Sequence, residues 1–479
     1  MSASHATTRP VRPGWTLALV AVCAFLTSLD VMVVVTALPT MRTDLHASLS
    51  DLEWTINAYN LAFGCLMLTG AALGDRFGRL RVYATGLGVF TLASAMAALS
   101  TSVEVLVIAR VLQGVAAGIA IPVSLTLLSN AFPPETRGKA MGVWGSVSGL
   151  AIAAGPLLGG LITQGLSWHW IFWINVPIGG AATVLSAVLL QESRGPRPKL
   201  DVIGLLLASL GLLGLVWGAV RAPAVGWGDA EPLTAFAVGA VLLVAFLMWE
   251  RRAPQPMLPL RYFRVRGFSV ANIAAFFQHF ALIGALFILS QLFQVGFGDG
   301  PLATGLRLLA WTAMPMIVAP LAGSKADTYG NKPFMIAGLF LLTVSLGWLA
   351  LAVGDGTGYG ALVAPLILGG AGIAMALPTG INLVFASMQP EDMGIASGAN
   401  SSMRELGGVF GVSFMGAVFA ANGDYSSASA AVDGFRAALG LGAAASLVGM
   451  AAAFFAPGKP RGDQPAEDAS PELQGAKAG

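Results

Sequence analysis

Charged side chains are scarce in this chain. Asp, Glu, Lys and Arg make up 10% of its 479 residues, whereas an average soluble protein has roughly 25%. Hydrophobic residues make up 56%, so a water-soluble globule of this size is excluded. The formal charge is only +2 and no block of like charges is present, so binding to nucleic acid is not expected.

Cysteines and catalytic motifs are also few. The two cysteines, Cys23 and Cys65, both lie inside apolar runs, which argues against a disulfide framework or a metal site. The chain has no GxxxxGKS or GxxxxGKT motif, so the sequence gives no sign of ATP-driven pumping. It also lacks a nucleophile motif and the His/Cys/Glu spacing of a metal site. We therefore expect no cofactor, no metal and no enzymatic activity.

Long apolar runs are abundant instead. A helix needs about 20 apolar residues to cross a bilayer, and fourteen segments approach or exceed this length. The chain is thus predicted to be an all-α membrane protein. The first run, at about 25 residues, exceeds the roughly 7–15 of a signal peptide and is expected to be retained. The segments lie near 15–38, 52–73, 82–100, 104–129, 139–163, 169–190, 201–220, 232–250, 267–293, 302–322, 334–353, 360–387, 393–421 and 435–456.

Lysine and arginine are unevenly distributed over the connectors. Cytoplasmic loops carry an excess of both residues, and placing both termini in the cytoplasm puts most of the 26 basic residues on that side. This rule does not choose between twelve and fourteen crossings, because removing segments 201–220 and 232–250 leaves every other loop where it was. Fourteen is favoured because each of these two segments is long enough to cross.

A short motif occurs twice on the predicted cytoplasmic side. Asp75 precedes Gly78 by three residues after the second segment, and Asp327 precedes Gly330 in the same way after the tenth. The repeat predicts two six-helix halves with a substrate site between them near the midplane. The predicted organisation is a cytoplasmic segment 1–14, a six-helix bundle 15–190, a linker with two extra helices 191–266, a second bundle 267–456 and a disordered cytoplasmic tail 457–479.

Six strings of residues match one family in its own order. They are Leu29–Pro39, the Asp75-Arg76 loop, Arg110–Gly114, Gly155–Gly160, Trp170–Gly179 and Arg404–Gly408. With these strings the chain resembles the major facilitator superfamily, and specifically its fourteen-helix drug:proton antiporter branch. The resemblance implies the major facilitator fold and an exporter that exchanges protons for a hydrophobic or amphipathic drug or antibiotic by alternating access.

The expected setting follows from the same resemblance. We expect a multi-pass protein of the cell membrane, in a bacterium the inner membrane, whose partners are a small-molecule substrate, protons and the lipid bilayer. A monomer is expected. The alternatives are a proton symporter or facilitator for a small metabolite and, more distantly, a membrane enzyme or receptor without transport activity.

Few ionisable residues lie inside the predicted spans, and these are candidates for proton coupling. A charge at a helix centre costs about 2.5–3.5 kcal/mol on insertion scales, so it usually faces a cavity or a partner. Asp30 in the first segment and Arg110 in the fourth can lie at similar depths at about 1.5 Å per residue, and we expect them to interact directly or through water. The alternatives are a permanently paired structural Asp30 and an Arg110 that reaches the outer interface.

Three further candidates lie in the second half. Arg404 and Glu405 are adjacent near mid-depth of the thirteenth segment, and because adjacent helical residues do not face one another, each is expected to find a partner elsewhere. Glu405 is the second proton-site candidate; alternatively, the two residues only lock helices together. His279 in the ninth segment can titrate near neutral pH, although a packing role is the simpler interpretation.

The loop after the second segment is predicted to be a cytoplasmic gate. Gly78 permits a tight reversal, while Asp75, Arg76 and Arg79 are expected to pair with neighbouring helices and to hold this side closed during part of the cycle. The family resemblance implies the same role. The alternative is a topology anchor that acts through positive charge alone.

The fifth segment carries Gly155, Pro156, Gly159 and Gly160. Small residues allow helices to approach closely, and an interior proline removes a backbone hydrogen bond and favours a kink. In the family this Gly-Pro element is associated with antiporters, which implies export. On composition alone, Gly and Pro are common in membrane helices.

An apolar, aromatic pocket with a few amides is predicted between the halves, and such a pocket suits a bulky amphipathic compound. Most aromatic residues more simply face lipid or neighbouring helices. The candidate lining residues are Asn57, Tyr59, Asn60, Phe63, Gln113, Asn272, Phe276, Asn382 and Asn400.

Overall fold

A computed structural model describes residues 13–194, 200–354, 356–389, 392–425 and 428–458. The predicted terminal segments 1–14 and 457–479 lie almost entirely outside these residues. The described part of the chain is helical throughout its length, as the apolar runs predicted, and no strand is assigned within it.

Seven helices form the first half of the fold. They are α1 (Pro13–Asp44), α2 (Leu49–Phe77), α3 (Arg79–Ala98), α4 (Val103–Ala131), α5 (Pro134–Gly165), α6 (Trp170–Trp173) and α7 (Asn175–Leu189). Two extra helices follow, α8 (Val202–Val225) and α9 (Ala230–Glu250). The second half consists of α10 (Arg266–Gln291), α11 (Pro301–Thr312), α12 (Met314–Tyr329), α13 (Asn331–Ala352), α14 (Gly360–Ala386), α15 (Met393–Asn422) and α16 (Ala428–Ala453).

Thirteen helical segments of the described chain are long and apolar enough to cross a membrane. Helix α2 is not among them, but its 29 residues extend about 43 Å at 1.5 Å per residue, and it packs between α4 and α15. Two predicted spans are broken: α6 and α7 meet at Ile174, and α11 and α12 meet at Ala313. The second break has a local cause, because Pro315 has no N–H to donate to the preceding turn.

Close helix contacts inside the first half depend on small residues. A Cβ added at Gly114 of α4 would collide with the backbone carbonyl of Tyr59 on α2, and one added at Gly118 would lie 2.7 Å from the carbonyl oxygen of Phe63. Apolar side chains gain little by leaving lipid, so backbone proximity and packing hold such helices together. Helix α2 is thereby fixed against α4 along two turns.

The two halves meet mainly where α2 packs against α15 and α5 against α11, and α1 also contacts α10. We define the outer end of the bundle as the end that carries Asp44 and Tyr425; the distribution of basic residues predicts that it faces the outside. Hydrogen bonds between the halves run from mid-depth to this outer end. The amide oxygen of Gln164 on α5, for example, accepts a hydrogen bond from the backbone N–H of Leu302 at 3.1 Å.

A proline contributes to this closure. Pro39 lies inside α1 and cannot donate the helical hydrogen bond that the carbonyl of Val35 would accept. Ser290 of α10 donates to that carbonyl at 2.7 Å, and Gln294 donates to the next carbonyl, that of Thr36, also at 2.7 Å. The second half thus satisfies backbone groups of the first half at the outer end.

The extra helix α8 covers the groove between α2 and α15 on one side of the bundle. Its Trp217 ring lies 5.7 Å from the ring of Trp54 on α2. Below this contact, α8 shares an apolar cluster with both neighbours, consisting of Leu61, Cys65, Val216, Val220, Leu406 and Val409.

Candidate functional site

The structure joins Asp30 and Arg110 directly. The Arg110 guanidinium donates to the Asp30 carboxylate through Nη1, and both side chains are buried, with exposures of 0% and 1%. The contact links α1 to α4 at the depth predicted from the sequence. Arg110 does not reach the outer interface, which was one alternative interpretation.

A second layer of amides and a hydroxyl surrounds the carboxylate. The side-chain amides of Gln113 and Asn175 donate to Asp30 Oδ1 at 3.1 and 3.0 Å. Gln113 also donates to Ser94 at 2.8 Å and accepts from Arg110 at 2.9 Å. Four helices, α1, α3, α4 and α7, therefore converge on one carboxylate, and both of its oxygens are occupied.

Arg110 also contacts α2 at two residues. Its Nε donates to the backbone carbonyl of Thr55 at 3.0 Å, and its guanidinium lies 4.4 Å from the centre of the Tyr59 ring. A desolvated arginine over an aromatic face gains about 2 kcal/mol. The centre of the Phe172 ring lies 6.0 Å from the guanidinium, so the cation is surrounded by one carboxylate, the carbonyl oxygens of Thr55 and Gln113, and two aromatic rings.

Two residues predicted to line the substrate pocket belong to this network instead. Gln113 is fully buried beside Asp30, and the Tyr59 hydroxyl points away from the boundary between the halves, towards the carbonyl of Thr27 at 3.4 Å. Asn175 and Ser94, which complete the network, were not singled out from the sequence. The one available signal was that each is a polar residue inside an apolar run.

The ionisable residues of α15 point in different directions, as predicted for adjacent helical positions. Glu405 faces α2, where a Cβ added at Gly64 would lie 3.1 Å from the Glu405 Cβ. Arg404 donates to its own helix, to Ser401, at 3.0 Å, while its buried Nε has no partner among the described residues. Arg404 lines a small cavity with Gln278 and Asn400. No ion pair joins Arg404 or Glu405 to another described residue.

The remaining pocket candidates divide into separate groups. Asn57 donates to Ser413 of α15 at 2.8 Å, and Asn60 is buried on the same face of α2. Asn400 donates to Asn272 at 3.3 Å, which links α15 to α10. The two phenylalanine candidates pack against other rings: the ring centre of Phe63 lies 5.8 Å from that of Tyr59, and the ring centre of Phe276 lies 5.8 Å from that of Phe410. Asn382 is exposed. His279 is buried, and its Nδ1 has no partner among the described residues.

The Gly-Pro element of α5 lies at the boundary between the halves. Gly155 and Gly159 face α1, where added Cβ atoms would collide with Met32 and Thr36. Gly160 faces α11, where an added Cβ would collide with the backbone carbonyl of Pro301. In the same way, a Cβ added at Gly305 of α11 would collide with the backbone carbonyl of Pro156. Thr312 of α11 donates to the Ala153 carbonyl at 3.1 Å. The element therefore brings α5 into backbone contact with both a helix of its own half and one of the other half.

The predicted cytoplasmic gate has contacts within its own half. Arg79 pairs with Asp75 at 2.7 Å, one turn away. The carboxylate of Glu192, which follows α7, accepts the backbone N–H groups of Leu80 and Arg81 at 3.0 and 3.2 Å. Glu192 was missed from the sequence because it lies more than a hundred residues further along the chain.

The two copies of the loop motif share one backbone feature. Gly78 ends α2 with φ of 110°, and Gly330 ends α12 with φ of 87°. Both values lie in the region that favours glycine. The internal repeat read from the sequence thus corresponds to the same reversal in each half, although the Asp327 side chain lies outside the described residues.

Replacing Gly78 by Ala is expected to destabilise the protein. A side chain at this φ costs about 1–2 kcal/mol, and the new Cβ would lie 2.8 Å from Glu192 Oε2. The matched control is Gly180→Ala in α7, where a Cβ meets nothing within 4 Å. Thermal unfolding in detergent measures the difference, and equal midpoints for the two variants would contradict this account of the loop.

One buried acid was not recognised from the sequence. Glu53 of α2 is 3% exposed, its carboxylate lies against the backbone at Gly416 of α15, and its Oε2 has no partner among the described residues. On the same side, the Arg42 guanidinium lies 4.4 Å from the ring of Tyr425, and burial raises the pKa of the Tyr425 hydroxyl. Tyr425 thus lies close to both the buried Glu53 and the Arg42 cation.

A wide depression opens at the outer end beside these residues. Its volume is about 730 Å³, and Arg42, His46, Gln294 and Asp299 contribute to its lining. Because Gln294 also donates to the Thr36 carbonyl, the floor of the depression is the contact between α1 and the end of α10. Water at the outer end therefore reaches Arg42.

Sequence comparison matches the chain to one family over nearly its whole length. The model of the Major Facilitator Superfamily matches residues 20–295 and 271–477. The Tetracenomycin C resistance and export protein of Streptomyces glaucescens is 36% identical over 85% of this chain and 76% of its own length. The Multidrug efflux pump LfrA of Mycolicibacterium smegmatis is 31% identical over 98% of this chain and 92% of its own. The Methylenomycin A resistance protein of Streptomyces coelicolor is 30% identical over 88% and 89%.

Solved structures with the same fold are more distant in sequence. The peptide transporter POT in complex with sulfate has a TM-score of 0.69 at 15% identity and covers 94% of this chain and 96% of its own. The D-xylose-proton symporter has a TM-score of 0.63 at 16% identity, covering 90% and 96%. At such identities the likeness shows the fold alone.

Proposed function

Because the chain belongs to the Major Facilitator Superfamily, we propose that it exports hydrophobic or amphipathic antibiotic-like molecules across the cell membrane in exchange for protons. It is a multi-pass transporter and not an enzyme, as its family and relatives establish. The observation that carries the proposal is the group of relatives named for export and resistance, each similar over most of the chain.

The buried charges support the proton half of the proposal. A buried ion pair is a poor source of stability compared with apolar packing, so an Asp30–Arg110 pair at the junction of four helices is consistent with a switch. Protonation of Asp30 would leave the cation without its counter-charge, held by the carbonyl oxygens of Thr55 and Gln113 and by neighbouring aromatic rings. The neighbouring Gln113 and Asn175 amides would then rearrange, and the contact between α1 and α4 would change with them.

The closed outer end is the state in which an exporter would take up its substrate. In an exporter the substrate enters from the cytoplasm when the outer contacts are made, and it leaves after they break. The Gly-Pro element lies within these contacts, so α5 can transmit a change in α1 to α11. The expected location is the inner membrane of a bacterium, with both termini in the cytoplasm and one copy of the chain acting alone.

The driving force is adequate for such export. Each pH unit of gradient supplies about 1.4 kcal/mol per proton, and each charge crossing adds about 2.3 kcal/mol per 100 mV. One proton per cycle therefore sustains a substantial gradient of the exported compound.

The proposal is tested by measuring drug accumulation in cells that lack other exporters. Cells producing the chain are expected to accumulate less tetracenomycin C, methylenomycin A or ethidium than cells without it, and an uncoupler is expected to abolish the difference. The Glu104→Gln variant, at an exposed acid of α4, serves as a control that keeps export. Equal accumulation of all three compounds with and without the chain would contradict the proposed substrates, and increased uptake would indicate a symporter.

A further inference from the structure

A row of polar side chains follows the contact between α2 and α15. Glu53, Asn57, Asn60 and Gly64 lie on one face of α2, at spacings of three or four residues. Each lies opposite a small or polar residue of the antiparallel α15: Gly416 opposite Glu53, Ser413 opposite Asn57, Gly408 opposite Asn60, and Glu405 opposite Gly64. The row therefore starts at the outer end and finishes at Glu405.

Several polar atoms of this row are buried without a partner among the described residues. They are Glu53 Oε2, Asn57 Oδ1 and both amide atoms of Asn60. The residues themselves are buried, with exposures of 3%, 0% and 1%. An unpaired polar group in a membrane interior is costly, and native proteins satisfy such groups with water when they line a common space. Because the four unpartnered atoms lie along one face of α2, one common cause explains them better than four separate causes.

The spacing of the row suits water between its members. Positions four and three residues apart on a helix differ in height by about 6 and 4.5 Å, which is too far for one amide to bond the next. A single water molecule between them bridges such a gap with ordinary hydrogen bonds. Asn60 is the key position, because neither its amide nitrogen nor its amide oxygen has a partner among the described residues. Its Nδ2 lies 3.7 Å from the position that a Cβ added at Gly408 would take.

From these observations we propose that the α2–α15 contact forms a water-lined proton path from Glu53 at the outer end, past Asn57 and Asn60, to Glu405. The proposal rests on the proton coupling of the proposed function and adds the route by which protons reach one site. Glu53 collects protons at the outer end, the two amides orient the intervening water, and Glu405 receives the proton. Asp30 does not lie on this path, because its oxygens are already occupied and Tyr59 separates it from the row.

The charged surroundings of the two acids are compatible with this role. No Lys or Arg of the described residues forms an ion pair with Glu53 or Glu405 within 4 Å, so neither acid is locked in its charged form. Among the charged groups of the packed helices, Arg110 of α4 bonds the Thr55 carbonyl and Arg221 of α8 is paired with Glu231. Near Glu53 itself the charged or titratable neighbours are Tyr425 after α15 and, beside Tyr425, Arg42 of α1. Near Glu405 they are Arg404 on its own helix, His279 of α10 beyond Arg404, and Asp30 and Arg110 beyond Tyr59.

The path is tested by labelling Glu405 with dicyclohexylcarbodiimide, which reacts with protonated carboxyl groups in apolar surroundings, followed by peptide mass spectrometry. Acidifying the bath of right-side-out membrane vesicles offers protons to the outer end; the same treatment of inverted vesicles offers them to the inner end. In the unaltered protein we expect outer acidification to accelerate the labelling of Glu405. In Glu53→Gln and Asn60→Leu, labelling after outer acidification should slow by about ten- to hundredfold, because the first variant removes the acid that binds the proton and the second removes the amide that orients the water.

Sidedness separates the path from a structural role. After inner acidification, the rate of Glu405 labelling in both variants should stay within about twofold of the rate in the unaltered protein. In the control variant Glu104→Gln, Glu405 should be labelled at the normal rate whichever side is acidified. Equal slowing from both sides, or no slowing from the outer side, would overturn the proposal. The reaction needs no transported compound, so a chain that labels as expected but exports none of the three test compounds would contradict the proposed function and leave the path standing.

Discussion

Asp30→Asn is expected to abolish proton-driven export and to lower the stability of the protein at the same time. The substitution keeps the shape of the side chain but leaves Arg110 as a buried cation without its counter-charge. Breaking a buried pair in this way costs about 3–5 kcal/mol. Thermal unfolding in detergent measures the loss of stability, and uptake of the exported compound into inverted vesicles under an imposed pH gradient measures the loss of transport.

The double variant Asp30→Asn/Arg110→Gln separates coupling from structure. It removes both charges, so the thermal stability should recover most of what Asp30→Asn lost, as in a double-mutant cycle between contacting residues. Transport driven by the pH gradient should stay at background, because no group at this position then binds a proton. If the double variant recovered pH-driven export together with stability, the pair would be structural and Asp30 would not be a coupling residue.

A methyl group at the α5–α11 contact is expected to hold the outer end open. In Gly160→Ala the Cβ collides with the Pro301 carbonyl, and in Gly305→Ala it collides with the Pro156 carbonyl. Neither neighbour is a flexible side chain, so relief comes from separating the helices. Overpacking of this kind costs about 1–3 kcal/mol, which shifts a conformational equilibrium by roughly 5- to 150-fold.

Both variants should therefore export poorly, and positions that are buried between the halves near the outer end should become accessible from outside. The reactivity of a cysteine placed at Ser290 towards a polar thiol reagent added outside should rise in either variant. Gly145→Ala and Gly149→Ala are the matched controls, since these positions of α5 have nothing within 4 Å of an added Cβ. Normal export by Gly160→Ala and Gly305→Ala, or equal loss in the controls, would contradict the role given to the Gly-Pro element.

Features that depend on counting along the chain were predictable from the sequence. Apolar run lengths predicted the helices, and the number of residues from each helix end placed Asp30 and Arg110 at matching depths. The glycine of the repeated loop motif predicted the reversals at Gly78 and Gly330. These inferences hold because a membrane helix has a fixed rise per residue and only glycine readily adopts the backbone conformation of the reversal.

Features that depend on which helices become neighbours were not predictable in this way. Asn175 and Ser94 join Asp30 only because α7 and α3 pack beside α1, and Glu192 reaches the gate loop from the far end of the first half. Glu53 was overlooked because it lies within one turn of Asp51, where an acid reads as part of an exposed helix start. Gln113 and Tyr59 were assigned to the pocket because their residue types suit a substrate, whereas packing against α1 turned them towards the ion pair.

The most direct test of the central claim is uptake of tetracenomycin C or ethidium into inverted membrane vesicles, measured with and without an imposed gradient that is acidic inside. The account predicts uptake by the unaltered chain that collapses when nigericin dissipates the gradient, and no gradient-dependent uptake by Asp30→Asn. Uptake that persists without the gradient, or that Asp30→Asn performs as well as the unaltered chain, would contradict proton-coupled export through the buried pair.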